Sequence, residues 1–377
     1  MAEDTRWIDL GEKLARLADL ARARDLDTLV LREPAALTWL LGARVNVPQT
    51  LDTACLDVIV HPGGGPGGHH GAGGHRLTVV TNAIEAPRLR DTELAGLDAA
   101  CDLRWDVVPW WESRDSRLPT GPRVGCDRPL PGSVPVGPDL AALRRQLTQH
   151  QQRLLAQVCS DTAAAATAAA LTLSPGTTGY AAAGAFAHEL LERELDPIVL
   201  LVGGADHLTD HRHPLPLAEP VGGRAMLVAC GRRHGLVASV TRIVSFTPLD
   251  DEQRDAYARL LQVERAFLDA TRVGARLGDV VSEGCAAYGR QGFDPEEWHR
   301  HHQGGLSGFQ PREFPAHASS DLVLDDGAVV AWNPSADGWK VEDTTLVLPN
   351  GARTLVTDER WPTLDVGGRS RPDVLVR

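Results

Sequence analysis

The chain has 377 residues, long enough for two domains that each bury a core of their own. Hydrophobic residues make up 43% and charged residues 23%, the balance of a soluble globular protein. A net charge of −12 speaks against nucleic acid or an anionic membrane as the main partner, and no apolar run reads as long enough to span a bilayer.

The opening residues, up to Trp7, carry neither a basic segment nor an apolar one, so no export signal is expected. Six cysteines are scattered without a CxxC spacing, which favours a reducing, cytoplasmic setting over a zinc knot or a disulfide frame. Residues 9–24 read as an amphipathic helix, with Leu10, Leu14, Leu17 and Ala21 at three- and four-residue steps. Residues 28–31 read as a short strand, and residues 34–41 as a second helix stopped by Gly42. Strands follow at 56–60 and 77–81. The alternation predicts a small α/β domain.

Between those two strands, residues 61–75 are rich in glycine and histidine. They hold a formal GxGxxG at Gly63, Gly65 and Gly68, but no helix follows to present its N-terminus to a phosphate. The stretch reads as a surface loop in which His69, His70 and His75 can pick up stray metal. Arg44 and Asn46 lie in the loop after Gly42. A Pro/Gly-rich segment at 129–138 marks a boundary, giving domains 1–135 and 136–377.

In the second half, residues 140–173 read as one long helix and 179–194 as another. Strands are expected at 198–202, 225–230 and 236–246, the last two joined by a turn at Arg232-Arg233-His234-Gly235. Helices are expected at 250–271 and 277–290, then a closing pair of strands at 328–333 and 340–348. Paired helices followed by antiparallel strands predict an α+β domain.

Ser174-Pro175-Gly176-Thr177-Thr178, His213-Pro214, Gly235 to Arg242, Glu313-Phe314-Pro315 and Val341-Glu342-Asp343-Thr344 occur in an order that resembles the pita-bread superfamily of aminopeptidase P, prolidase, methionine aminopeptidase and creatinase, the M24 families. The opening, Arg16 to Leu31 followed by Pro34 to Gly42, is similar to the start of its two-domain members. The resemblance implies a C-terminal pita-bread domain behind a smaller N-terminal α/β domain, and a homodimer; family dimers bring N-domain residues to a neighbouring pocket, but Arg44 and Asn46 read rather as part of a solvated loop.

Metal-dependent members hold two divalent ions with two Asp, one His and two Glu. The resemblance puts Ala229 and Ser239 in the Asp positions, Asn333 in one Glu position and Glu342 in the other. The histidine position falls on His302 or, counting back from Glu313, on Gly305. Two adjacent cations need several anionic oxygens, so no paired-metal site and no cofactor are expected. A lone zinc on His213, His302 and Glu342 is the alternative.

Creatinase implies chemistry without metal. Its acid/base histidine matches the segment His211-Arg212-His213-Pro214, and His213 is favoured over His211. Neutral imidazole can take a proton from water and return it to a leaving nitrogen. Strand alternation puts Lys340, Glu342 and Thr344 on one face. Glu342 is read as facing the pocket, with an ion pair to Lys340 or an arginine as the structural alternative. If residues 299–302 are extended, His299 and His301 point one way and His302 the other. His302 is read as a substrate-binding or relay group. Arg312, where the family has histidine, suits a substrate carboxylate. Ser239 shares a strand face with Val237 and Thr241 and can line the pocket; nothing marks it or Cys230 as a nucleophile.

The resulting expectation is a metal-independent enzyme that acts on a C–N bond of a small amino-acid-like or amidino substrate. His213, Glu342 and Glu313 would be catalytic; His302, His211, Arg312, Ser239 and Asn333 would bind substrate. The alternatives are a divergent Xaa-Pro peptidase with a reduced metal site, and a non-catalytic pseudopeptidase that binds a peptide.

Overall fold

A computed structural model describes residues 7–47, 53–63 and 75–377. The chain forms two compact units, Met1–Arg144 and Arg145–Arg377. Gly65, Gly68, His69 and His70 of the glycine-rich stretch lie outside the described residues.

The first unit runs α1 (Leu10–Ala23), β1 (Thr28–Leu31), α2 (Pro34–Leu41), β2 (Leu56–His61), β3 (Arg76–Asn82), α3 (Glu85–Arg88), α4 (Leu97–Ala100), β4 (Asp102–Val108), β5 (Val124–Cys126), β6 (Val134–Pro135) and α5 (Gly137–Arg144). Its sheet has the order β4-β3-β2-β1-β5-β6, with β2 antiparallel to both neighbours and the remaining pairs parallel. Helix α1 buries Leu10, Leu14, Leu17 and Ala21, the stripe its spacing predicts. Helix α2 starts with Pro34 at its first turn, where no N–H is missed, and the Asp127 carboxylate accepts from the Arg32 and Glu33 N–H groups just before it. Asp57 is buried between Arg32 at 2.9 Å and Arg114 at 2.7 Å. Arg44 forms an ion pair with Glu93 of its own unit at 2.8 Å.

The second unit runs α6 (Gln149–Thr172), α7 (Gly179–Leu191), β7 (Asp196–Gly204), β8 (Arg224–Arg233), β9 (Leu236–Ser245), α8 (Asp251–Ala270), α9 (Leu277–Arg290), β10 (Gly304–Ser307), β11 (Phe314–Pro315), β12 (Val329–Trp332), β13 (Ser335–Ala336), β14 (Trp339–Lys340), β15 (Asp343–Leu348), β16 (Gly351–Thr354), β17 (Thr363–Asp365), β18 (Ser370–Pro372) and β19 (Leu375–Val376). The main sheet has the order β11-β10-β12-β15-β9-β8-β7, with β16 on β15 and β19 on β9. Its core packs α8 and α9 residues such as Leu260, Phe267, Val280 and Tyr288 with Val330, Trp332 and Val341. The Phe267 and Trp332 rings stack with centroids 5.0 Å apart. The β8–β9 hairpin turns on His234 and Gly235, both at positive φ (54° and 77°), the geometry of a two-residue turn that follows sheet twist.

Three expectations are corrected here. The predicted helix 140–173 is two helices, because Thr148 caps α6 by accepting from the Gln151 N–H while the Gln151 side chain accepts from the Thr148 N–H. That capping box stops α5 from running on. Helix α6 is also apolar and long enough, at 24 residues, to cross a membrane by length and composition, which the first reading denied. More than half of its apolar window is buried inside the protein, and it packs on β8 and β9 as a core helix. The predicted strand 340–348 is interrupted: Lys340 pairs with Ser335 in the β13–β14 hairpin, and β15 starts only at Asp343. Val341 and Glu342 form the step between them.

Candidate functional site

Glu342 sits in that step, and the Thr241 N–H of β9 donates to its backbone carbonyl at 2.9 Å. Its side chain is 3% exposed. Arg312 Nη2 donates to Oε1 at 2.6 Å, and Lys340 Nζ lies 3.3 Å from Oε2. Thr241 Oγ1 adds a long hydrogen bond to Oε2 at 3.5 Å. Burial alone would raise the carboxyl, but the positive charges of Lys340 and Arg312 outweigh it and hold the pKa down to about 2. The expected pocket carboxylate is therefore already neutralised by two cations of its own chain. Lys340 and Glu342 come together as an ion pair, the structural alternative named for Glu342, and not through alternation along one strand, which breaks at Val341-Glu342; Thr344 is engaged elsewhere, accepting from the Ser239 N–H at 2.7 Å.

Ser239 is fully buried on β9, and its Oγ lies 3.4 Å from Cys230 Sγ. Cys230 is directly opposite Ser239 in the β8–β9 register, whereas Ala229 is opposite Val240. Side chains alternate across a strand, so Cys230, not Ala229, shares the Ser239 face. This corrects the placing of Ala229. Burial pushes the Cys230 thiol up to about 11, so it is no ready thiolate.

Asn333 follows β12 and is 1% exposed. Its N–H donates to the Gln303 carbonyl at 3.1 Å, and its Oδ1 is buried without a hydrogen-bond partner among the described residues. Gly305 pairs with Ala331 on one side and Pro315 on the other, at φ 147°. A Cβ there would sit 2.3 Å from the Phe314 carbonyl oxygen and 2.7 Å from the Ala316 nitrogen. The closing of β11 onto β10 thus leaves no room for a side chain at that position.

The histidines come together by a different route from the one the sequence suggested. His213 Nε2 and His301 Nε2 are 3.0 Å apart, so one ring donates and the other accepts. With His302, they offer nitrogens that all lie within 4.8 Å of one another. His301 is 7% exposed and its Nδ1 has no hydrogen-bond partner among the described residues, while His213 and His302 are exposed. The segment before them is not extended: residues 297–300 form a 3₁₀ turn, and the His301 and His302 rings stack at 4.4 Å instead of pointing apart. His299, on that turn, pairs with Glu296 at 2.8 Å and stays outside the cluster. His301 is the residue the sequence reading undervalued; its neighbour Gln303 clamps it, donating to the His301 carbonyl at 2.6 Å while Tyr288 donates to Gln303 Oε1 at 2.8 Å.

Arg212 forms an ion pair with Glu297, tying the His213 loop to the turn that carries His301. His211 is not part of the cluster; its N–H donates to the His207 carbonyl at 2.9 Å and its ring stacks on His207. Glu313 is likewise outside it, its Oε1 accepting from the Phe309 N–H at 3.2 Å and so bracing its own loop. Burial is the largest cause lowering all three clustered imidazoles. His301 falls to about 2, with Lys340 next in effect; His302 falls to about 4, with Arg312 next; and His213 falls, with Lys340 next. At neutral pH they are uncharged bases.

The residues at the positions implied by the resemblance do not fit two divalent cations. Ala229, Ser239 and Asn333 bring no carboxylate, the histidine position offers at most the single imidazole of His302, and Glu342 already has both oxygens paired with Arg312 and Lys340.

The sequence model of metallopeptidase family M24 matches residues 153–349, more than half of the chain, and the chain belongs to that family. YkvY of Bacillus subtilis is 25% identical over 127 residues, 32% of this chain and 34% of that protein. A Xaa-Pro dipeptidase of Pyrococcus furiosus is 25% identical over 129 residues, 33% of this chain and 36% of that protein. The matched segment thus spans about a third of each of these curated relatives. Among solved structures, dipeptidase PepE from Mycobacterium ulcerans superposes with a TM-score of 0.73 at 19% identity, covering 99% of this chain and 98% of that one. The chain has the α+β pita-bread fold, its smaller first unit included.

Proposed function

We propose that this protein is a metal-independent hydrolase of a C–N bond in a small amino-acid-like or amidino substrate. The observation that carries the reading is the pairing of buried Glu342 with Arg312 and Lys340 beside three neutral imidazoles. The two side-chain cations stand where metal charge would otherwise be needed. His213, solvent-facing and hydrogen-bonded to His301, takes a proton from water as the water oxygen bonds to the substrate carbon. The C–N bond then breaks, and the same proton passes from His213 to the leaving nitrogen. His301 orients His213, and Glu313, which lies outside the cluster, has no catalytic part in this reading. Arg312 and Lys340 favour negative charge developing on the substrate, and Glu342 holds them in place. His302, exposed beside His213, binds substrate, and Ser239 and Asn333 line the floor. The partner is a small molecule or short peptide; a cytoplasmic homodimer remains part of the proposal.

A second reading, a divergent Xaa-Pro dipeptidase with a reduced metal site, is favoured by the name of the Pyrococcus furiosus relative. One experiment separates the two. Chelator-treated protein, verified by elemental analysis, is assayed against amidino compounds and Xaa-Pro dipeptides. The first reading expects turnover without metal and a loss of about 10²–10⁴-fold in His213→Ala. Turnover that appears only when a divalent ion is added contradicts it.

A further inference from the structure

The same histidines carry a second capacity. His301 has one ring nitrogen on His213 and the other without a partner among the described residues, so neither is committed to a backbone acceptor. His213 and His302 are exposed and flank it, giving an entry path and room for a water as fourth ligand. Three neutral nitrogen donors within 4.8 Å are a set that zinc accepts and that hard, oxygen-seeking ions do not. The donors differ from the oxygen-rich set of a paired-cation centre. The His301 and His302 rings stack, so exposed His302 must turn about its side-chain bonds to converge on an ion.

We propose that His213, His301 and His302 form a site for a single zinc-class ion, and that the bound ion shuts off the acid–base couple. The nitrogen lone pair that takes the proton from water is the one a metal would occupy, so one imidazole cannot do both. Arg312 and Lys340 lie in the same neighbourhood and oppose a cation, and Glu342 offsets only one of them. Affinity therefore comes from metal–nitrogen bonds, which selects zinc over manganese or magnesium. The site itself stands on geometry alone; its inhibitory effect rests on the function proposed above.

The test is a calorimetric titration of chelator-treated full-length protein with ZnCl₂, MnCl₂ and MgCl₂, alongside His213→Ala, His302→Ala, the double variant and His299→Ala, every protein carrying His69→Ala, His70→Ala and His75→Ala so that the glycine-rich stretch takes up no zinc. Expected are one zinc per chain and no saturable binding of manganese or magnesium. His213→Ala and His302→Ala, whose side chains are exposed, should weaken zinc by about tenfold or more, and His299→Ala should leave it unchanged. X-ray absorption of the zinc-loaded protein should show three imidazole nitrogens. Zinc affinity that survives in the double variant, or that falls in His299→Ala, overturns the site. Added zinc should also abolish turnover by the chelated enzyme. Zinc that switches turnover on leaves the site standing but sinks the metal-free reading; active chelated enzyme that binds no zinc does the reverse.

Discussion

Arg312 Nη2 lies 2.6 Å from Glu342 Oε1, and Lys340 Nζ lies 3.3 Å from Oε2, so two side-chain cations offset one buried carboxylate. A carboxylate already paired with two side-chain cations has its charge offset, and those cations repel a divalent ion brought to the same oxygens. The pair also has a thermodynamic signature. The Glu342 carboxyl is held at about 2, below its ordinary 4.5, so it stabilises the fold above pH 4.5 and loses that contribution as pH falls from 4.5 toward 2. The shift corresponds to about 3 kcal/mol. Glu342→Gln leaves Lys340 and Arg312 buried and unpaired, a loss of about 3–5 kcal/mol near neutral pH. Urea unfolding at stepped pH should show the gap between wild type and variant narrowing through that window. A gap independent of pH would mean the carboxylate is not ion-paired.

Burial, with Lys340 next, keeps the His213 imidazole below its ordinary 6.5. A group whose proton is already lost at neutral pH can act as base there, so the acid limb of kcat/KM should lie below pH 6.5. Lys340→Met removes a positive charge that opposes protonation and should move that limb upward. The matching readout is the imidazole shift of His213 followed by NMR through the same range.

Much of this site was legible in the order of motifs, and its failures have physical causes. The resemblance, not alternation, points to Asn333, Arg312 and Glu342; Asn333 and Glu342 are buried, Glu342 in the step before β15, and alternation serves only for Ser239, buried on β9. Ala229 is matched to the first Asp position by motif alone, whereas the register of β8 on β9, set through the His234-Gly235 turn, puts Cys230 opposite Ser239, and a motif match does not encode that register. The sequence favours His302 through the family's histidine match; the fold brings the His301 ring to His213, with residues 297–300 in a 3₁₀ turn and Arg212 of a distant loop paired with Glu297. The break before β15 was hidden for a similar reason: Lys340 finds its strand partner in Ser335, not in β12.

Gly305→His puts a histidine at one of the two positions, His302 or Gly305, that the resemblance offers for the family's histidine, and no gain of function is expected from it. The Phe314 carbonyl oxygen at 2.3 Å and a φ of 147° oppose any side chain at this position. The strained backbone alone costs about 1–3 kcal/mol, before the clash is relieved. Thermal unfolding should fall, and calorimetry should find no gain in manganese binding.

On the far side of β15, Asp343 is held by Arg242 at 2.8 Å and Arg371 at 2.9 Å, and Arg371 also makes two hydrogen bonds to Glu264. All four are buried, and the network fixes the strand just after Glu342. Arg371→Leu strands the Glu264 carboxylate and leaves Asp343 with Arg242 alone, and should lower unfolding free energy by about 3–5 kcal/mol. The double variant Arg371→Leu, Glu264→Leu should recover part of that loss in the same denaturation assay.

The most direct trial of the central claim is a manganese titration of chelator-treated protein, wild type beside Glu342→Gln, read by calorimetry. Side-chain cations in place of metal predict no paired manganese binding in either protein. Two ions bound per chain, lost in Glu342→Gln, would contradict the account.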